Sequence, residues 1–355
     1  PYTTLFRSSA GDPPVDHRVA GAVAGLSFLA SCVPEPALER FSADDLRPPA
    51  VASWGPIGPS EVSIGFDEDI AGAEPGFVSY PGPAVASVAL GEDGRSVRVL
   101  LDGAQAPGVA YSVSGVVADA AGNLSGFALP YWGHNPDPPA MLINELVTEG
   151  SATHPDAVEF YVARGGDCAG LAFFVGSPMD YACRYVFPPL AVAAGDYVVL
   201  HLKPQGVAGE VDESTAKDES AGLDASASAW DLWCRGGDGA LPGKNGVVAL
   251  CSSPHGAMLD AVPYSERFAD SDTAYGGFGS AALRDRVAAV VAAGAWVGSD
   301  PPRPEDCARS AGTTSTRSVC RSSSSGDSDS GADWHVVPTK GASLGSANAD
   351  EVYAP

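Results

Sequence analysis

Four side chains that lie close together in the sequence have the makings of acid–base or metal chemistry: Glu145, His154, Asp156 and Glu159. Two carboxylates held face to face can clamp a metal ion or share a proton, and a nearby imidazole can carry that proton in or out. A metal-dependent secreted hydrolase, a nuclease among them, is the reaction class such a set would serve. The elements that carry the four decide whether they can meet. Leu142-Ile143-Asn144-Glu145-Leu146-Val147 reads as an apolar strand, and Val158-Glu159-Phe160-Tyr161-Val162 as a second with apolar residues at alternate positions. A polar loop containing Pro155 joins them. Glu145 and Glu159 are therefore expected on adjacent strands, where a carboxylate is by default hydrogen-bonded or turned to solvent.

Other chemistry-bearing residues are scattered. His201, His255 and His335 lie in separate segments, and the serines of residues 322–325 form a flexible run, not a nucleophile elbow. No G-x-S-x-G, H-E-x-x-H, P-loop or Gly-rich dinucleotide motif is present in usable form. The expectation is a protein that is not an enzyme, with no cofactor, no metal and no catalytic residue. A second acidic group, Asp67, Glu68, Asp69 and Asp119, has ligands a calcium ion would accept, but lacks the spacing of a self-contained calcium loop. A solvated strand end is expected there, with calcium-dependent adhesion as the alternative.

Composition narrows the function classes. The net charge of −24 and the scattering of 20 basic residues, only four of them Lys, argue against nucleic acid. Gly 42 and Pro 30, beside 45% hydrophobic residues, favour β-domains with many turns and real cores. A length of 355 residues allows two or three domains.

Residues 1–8, PYTTLFRS, fit nothing that follows and are read as an artefact of translation. His17-Arg18 then precede VAGAVAGLSFLAS, an apolar run of signal-peptide length that is too short to span a bilayer. It ends in Leu29-Ala30-Ser31-Cys32, which resembles the bacterial lipobox. The resemblance implies cleavage before Cys32 and a lipid anchor on that residue; a buried helix that happens to end at a Cys is the alternative. Seven Cys are present. With Cys32 acylated, an even set remains: Cys168, Cys183, Cys234, Cys251, Cys307 and Cys320. In an exported chain such a set reads as disulfides of undetermined connectivity, and sequential pairing (Cys168–Cys183, Cys234–Cys251, Cys307–Cys320) is the expectation because each pair flanks a short loop.

Two β-rich regions follow the tether at residues 32–47. In residues 48–132, Val62, Ile64 and Phe66 alternate, as do Val97 with Val99 and Tyr111 with Val113. This layout, with Phe66-Asp67-Glu68-Asp69 at a strand end and Asp119-Ala120-Ala121-Gly122-Asn123 before the last strand, resembles the SbsA-type bacterial Ig-like domain. Residues 133–140 form a Pro-rich linker. From residue 141 to 348, Ile143-Asn144-Glu145-Leu146 and Asp156-Ala157-Val158-Glu159-Phe160-Tyr161 resemble the opening of the lamin-tail (LTD) family. Later pieces follow in that family's order: Tyr185-Val186-Phe187-Pro188, then Gly195-Asp196-Tyr197-Val198-Val199-Leu200, then Asp333-Trp334, with residues 349–355 as a tail. Two insertions enlarge this region. Residues 204–242 read as an exposed acidic loop ending in a turn at Trp230 to Trp233. The second, roughly residues 265–314, carries residues 281–293, where Leu283, Val287, Val290 and Val291 share a face at helical spacing and read as a helix packed over a sandwich end, with a partner-binding helix as the alternative.

The expected fold class is all-β: two Ig-like β-sandwiches in tandem, the second lamin-tail-like and enlarged by loop and short helical insertions. The expected function is a non-enzymatic, lipid-anchored protein of the bacterial cell envelope. Its outer-membrane or surface position would present the second domain to an unknown protein or glycan partner.

Overall fold

The computed structural model describes residues 45–236, 240–268 and 273–354; the leader, Cys32 and most of the tether lie outside the described residues. The protein is an all-β, sandwich-type fold, with one α-helix among the described residues.

The first sandwich is built from β1 (Val51–Gly58), β2 (Glu61–Phe66), β3 (Gly72–Ala73), β4 (Val78–Tyr80), β5 (Val85–Leu90), β6 (Ser96–Leu101), β7 (Ala110–Ala118) and β8 (Leu124–Trp132). One sheet has the order β1-β2-β6-β5; the other has β3-β7-β4, with β8 also paired to β7. Period-2 patterning explains the core. Val62, Ile64 and Phe66 point inward from β2, and Val97, Val99 and Leu101 from β6, to meet Tyr111, Val113, Val117 and Tyr131 of the facing sheet.

The second region contributes β9 (Ala140–Val147), β10 (Ala157–Arg164), β11 (Gly166–Asp167), β12 (Ala172–Ser177), β13 (Asp180–Val186), β14 (Ala191–Val192) and β15 (Tyr197–His201). It continues with β16 (Trp230–Trp233), β17 (Asn245–Cys251), β18 (Met258–Ser265), β19 (Ala308–Arg309), β20 (Val319–Arg321) and β21 (Trp334–Val336). A six-stranded sheet, β16-β15-β10-β9-β20-β21, packs against a five-stranded sheet, β13-β12-β17-β18-β19, and β11 pairs with β14. Ile143, Leu146, Phe160, Val198 and Leu200 of the first sheet share one core with Phe173, Val175, Val248 and Val262 of the second. The expected helix forms as α1 (Ala281–Ala292), capped by Ser280, whose side chain accepts from Leu283 N at 3.2 Å. It lies on β12, β17 and β18 and buries Val287 and Val290.

The segment from Trp230 to Trp233 is a strand, not a turn. β16 runs parallel to β15, with Leu232 and Trp233 buried. The acidic insertion before it is not simply exposed either. Glu213, 1% exposed, accepts the backbone N–H groups of Glu219, Ser220 and Asp231, and Glu210 accepts those of Gln205 and Gly206. Two carboxylates thus replace the missing ladder partners of a long crossover and tie it to the sheet.

The joint between the sandwiches is pinned by hydrogen bonds. Asn135 Nδ2 donates to Asp167 O at 2.7 Å and Ala169 O at 3.0 Å, and His134 N donates to Gln105 Oε1 at 3.2 Å. Gly108 and Gly170, both at positive φ, meet backbone to backbone: a Cβ on Gly108 would stand 3.0 Å from Gly170 N.

Candidate functional site

Strand register decides what the carboxylates can do. Asp231, Val199, Glu159, Glu145, Cys320 and His335 stand side by side in one row across the six strands. Their neighbours Val158, Phe160 and Leu146 point to the core, so the row lies on the opposite face. A bulge in β9 places Asn144 beside the Glu145–Glu159 pair, and Asn144 Nδ2 donates to Glu159 Oε1 at 2.8 Å.

The C-terminal segment seals this face. Ser343 N and Oγ donate to Glu145 at 2.9 and 3.0 Å, Gly345 N donates to Glu159 Oε2 at 2.6 Å, and Ser318 Oγ donates to Glu145 Oε1. Asn348 Nδ2 donates to Asn144 O at 3.2 Å and Arg321 O at 3.0 Å. Both glutamates are 0% exposed. Burial pushes the Glu145 carboxyl up, against the pull of its hydroxyl donors; burial and then the charge of Glu145 push Glu159 well above the usual carboxylate range. Of the pair, Glu159 is the carboxyl that holds a proton more readily. Asn144 Oδ1 is buried without a partner. A proton on Glu159 gives that oxygen a donor once the Asn144 amide is turned over, an orientation fixed only by such networks.

The other two members of the sequence-predicted set go elsewhere. Asp156 accepts Gly150 N at 2.7 Å and Leu241 N at 3.0 Å and pairs with Lys203 Nζ at 3.0 Å, so it organises loops. His154 pairs with Asp224 at 2.9 Å in an exposed position. Of the remaining histidines, His201 is 1% exposed, stacks on Trp233 at 4.0 Å and contacts Asp231 Oδ1 at 2.7 Å. His335 Nε2 donates to Ala349 O at 2.8 Å.

The acidic group of the first sandwich divides as well. Asp67 pairs with Arg47, and Asp69 pairs with Arg95 at 2.8 Å. Glu68 and Asp119 instead join Asp45, with one oxygen of each within 4.8 Å of the others. Burial, then the charges of Asp45, Asp67 and Asp119, raises the Glu68 carboxyl.

The cysteines depart from sequential pairing. All six are buried thiols, and the one close sulfur pair is Cys183 with Cys234, at 3.4 Å among the described residues. Cys168 instead touches Met141 Sδ at 3.6 Å, Cys320 lies 3.9 Å from His335 Nε2, and Cys251 faces the cluster of Ala172 and Phe174. The physical reason is strand direction: residues close in sequence stand on different strands or opposite faces, while the crossover brings Cys234 onto β13. Burial pushes the Cys168 and Cys251 thiols up to about 12.

Arg321 was not singled out by sequence reasoning, yet it is a fully buried charge with many partners. At 0% exposure it donates to Ile143 O at 2.8 Å and Asp327 Oδ1 at 2.7 Å, and stands 3.5 Å from Asp260 and 3.4 Å from Asp333. The Trp334 ring lies 4.8 Å below it. Burial still holds the Asp260 carboxyl up at about 6, against the pull of Arg321.

A cleft of about 350 Å³, one of several among the described residues, lies at the joint. Trp54 of β1, Trp132 of β8 and His255 of the β17–β18 turn line it, the imidazole 5.6 Å from one indole and 5.4 Å from the other. Trp54 Nε1 is anchored on Pro130 O at 2.7 Å, and Arg184 of β13 lies 5.4 Å over Trp132. No local motif announces these residues, because they come from both sandwiches.

Residues 139–336, more than half of the chain, match the model of the TP_1001_2nd family, described as a protein second domain. An uncharacterized protein of Treponema pallidum (strain Nichols) is 32% identical over 149 residues, covering 42% of this chain and 37% of that protein. The chain therefore spans little more than a third of the length of that relative. A DUF4876 family protein from Bacteroides thetaiotaomicron aligns at 12% identity and TM-score 0.27, over 72% of this chain and 84% of its own. The N-terminal part of the bacterial S-layer protein SbsC aligns at 17% identity and TM-score 0.24, over 42% of this chain and 39% of its own.

Proposed function

The chain belongs to the TP_1001_2nd family of protein second domains, and we propose that it is a lipid-anchored protein of the bacterial cell envelope. In this reading Cys32 carries the anchor, and the first sandwich is a spacer that holds the second, lamin-tail-like sandwich away from the membrane for binding. The pinned joint carries the reading. Asn135, bonded to Asp167 and Ala169, and the Gly108–Gly170 backbone contact make the two sandwiches one stiff arm, which suits presentation of a surface at fixed orientation. The leader ending in Leu29-Ala30-Ser31-Cys32 supplies the address.

The role is binding, without chemistry. The Glu145–Glu159 pair is closed by Ser318, Ser343 and Gly345, which donate to the carboxylate oxygens a metal or water would need. Fractionation of a Gram-negative host expressing the chain tests the reading. The wild type is expected in the membrane fraction and Cys32→Ser in the soluble fraction; a Cys32→Ser chain that stays with the membrane contradicts it.

A further inference from the structure

The cleft at the joint has aromatic walls and no acidic side chain, although the protein carries 44 acidic residues. Arg184 stands at its edge, exposed, over the Trp132 and Tyr181 rings, and makes no ion pair among the described residues. The two indoles offer flat apolar faces of negative quadrupole, the surface on which the C–H face of a sugar ring packs. Between them the exposed His255 supplies a donor and an acceptor. Burial, reinforced by the Arg184 charge, lowers the pKa of His255, so its imidazole is neutral at neutral pH. Ser252 and Ser253, in the same turn, present hydroxyls with no protein partner among the described residues.

We infer that this cleft binds a carboxylate-bearing sugar residue of the uronic-acid type, with its ring against Trp54 and Trp132 and its carboxylate on Arg184. Three features argue for that chemistry over a peptide or a neutral sugar. The cavity is at the small end of ligand pockets, which run from about 300 to 1,000 Å³, so it takes one residue of a chain. Its walls combine aromatic faces with short hydroxyls, not a long apolar groove or an open strand edge. At its edge the Arg184 guanidinium, 5.4 Å over the Trp132 ring and in no ion pair among the described residues, is the group best suited to a carboxylate.

The inference rests on the reading of the chain as a binding protein, but the two fail separately. A chain that binds the sugar without a membrane anchor overturns only the anchoring; an anchored chain that binds no sugar overturns only this site. Isothermal titration of the full chain with trigalacturonic acid, with the neutral galactotriose as comparison, provides the test, read in parallel by indole fluorescence. Binding of the acidic trisaccharide is expected, with the neutral one at least about tenfold weaker. Arg184→Ala and His255→Ala, both exposed positions, are expected to weaken the acidic ligand about tenfold each while leaving the melting temperature unchanged. Arg98→Ala, which removes the same charge outside the cleft, is expected to bind like the wild type. Equal affinity for both trisaccharides, binding unaffected by Arg184→Ala, or no binding of either overturns the inference.

Discussion

Glu145 and Glu159 are register partners on β9 and β10, and both carboxyls are fully buried beneath the C-terminal segment. Two like charges so close oppose one another, and it is the Glu159 carboxyl that is raised further toward its protonated form. Each folded-state value lies above the ordinary one, so the folded state binds the extra proton. This contribution to stability is complete below about pH 4.5 and is lost as pH rises through the folded values. Glu159→Gln keeps the shape and removes the titration, with the Asn144 amide turned over to accept from the new amide. Relative to wild type, the melting temperature of Glu159→Gln is expected to rise between about pH 5 and pH 8. Thermal melts across that range check it, and a constant difference would speak against a shared proton.

Arg321 is the opposite case, a buried cation whose removal strands its partners. Arg321→Ala leaves Asp260 buried at 1% exposure and Asp327 and Asp333 without their guanidinium. The expected cost is about 3–5 kcal/mol, or a melting temperature lower by on the order of 10 °C. Differential scanning calorimetry reads this directly.

Cys183 and Cys234 are within 3.4 Å, so small side-chain movements bring them to bonding distance. Oxidised glutathione, accepting the two electrons and two protons of the thiols, is expected to join this pair ahead of the other four. Alkylation and peptide mass mapping after oxidation should find a Cys183–Cys234 peptide. A Cys168–Cys183 peptide would instead favour the sequential order.

Glu213 gathers three backbone N–H groups of the crossover. Glu213→Ala leaves these donors without their acceptor, at about 1–3 kcal/mol each for those that stay dry. The expected sign is faster proteolysis within residues 204–229 at unchanged cleavage elsewhere, measured by limited digestion.

The sequence made the local features legible and hid the distant ones. Alternation in β2, β6 and β10 and the face shared by Val287 and Val290 in α1 follow from periodicity, and the structure places them as expected. The facing of Glu145 and Glu159 was readable for the same reason, since both lie on strands joined by a short loop. Their sealing was not, because Ser343 and Gly345 reach them from nearly two hundred residues away. The segment from Trp230 to Trp233 looked like a turn because a parallel partner leaves no hairpin signal. Asp45 joined Glu68 and Asp119 unannounced, while Arg47 and Arg95 drew Asp67 and Asp69 away. Trp54, Trp132 and His255 could be assembled only by the joint between the two sandwiches.

The proposed anchor is a lipid on Cys32. Tandem mass spectrometry of the mature amino terminus, from chain produced in a bacterial host and extracted from membranes, measures it most directly. The account predicts an amino-terminal peptide beginning at Cys32 with a diacylglycerol mass on its sulfur. An amino-terminal peptide that runs intact through Leu29-Ala30-Ser31-Cys32, or one beginning at an unmodified Cys32, would contradict it.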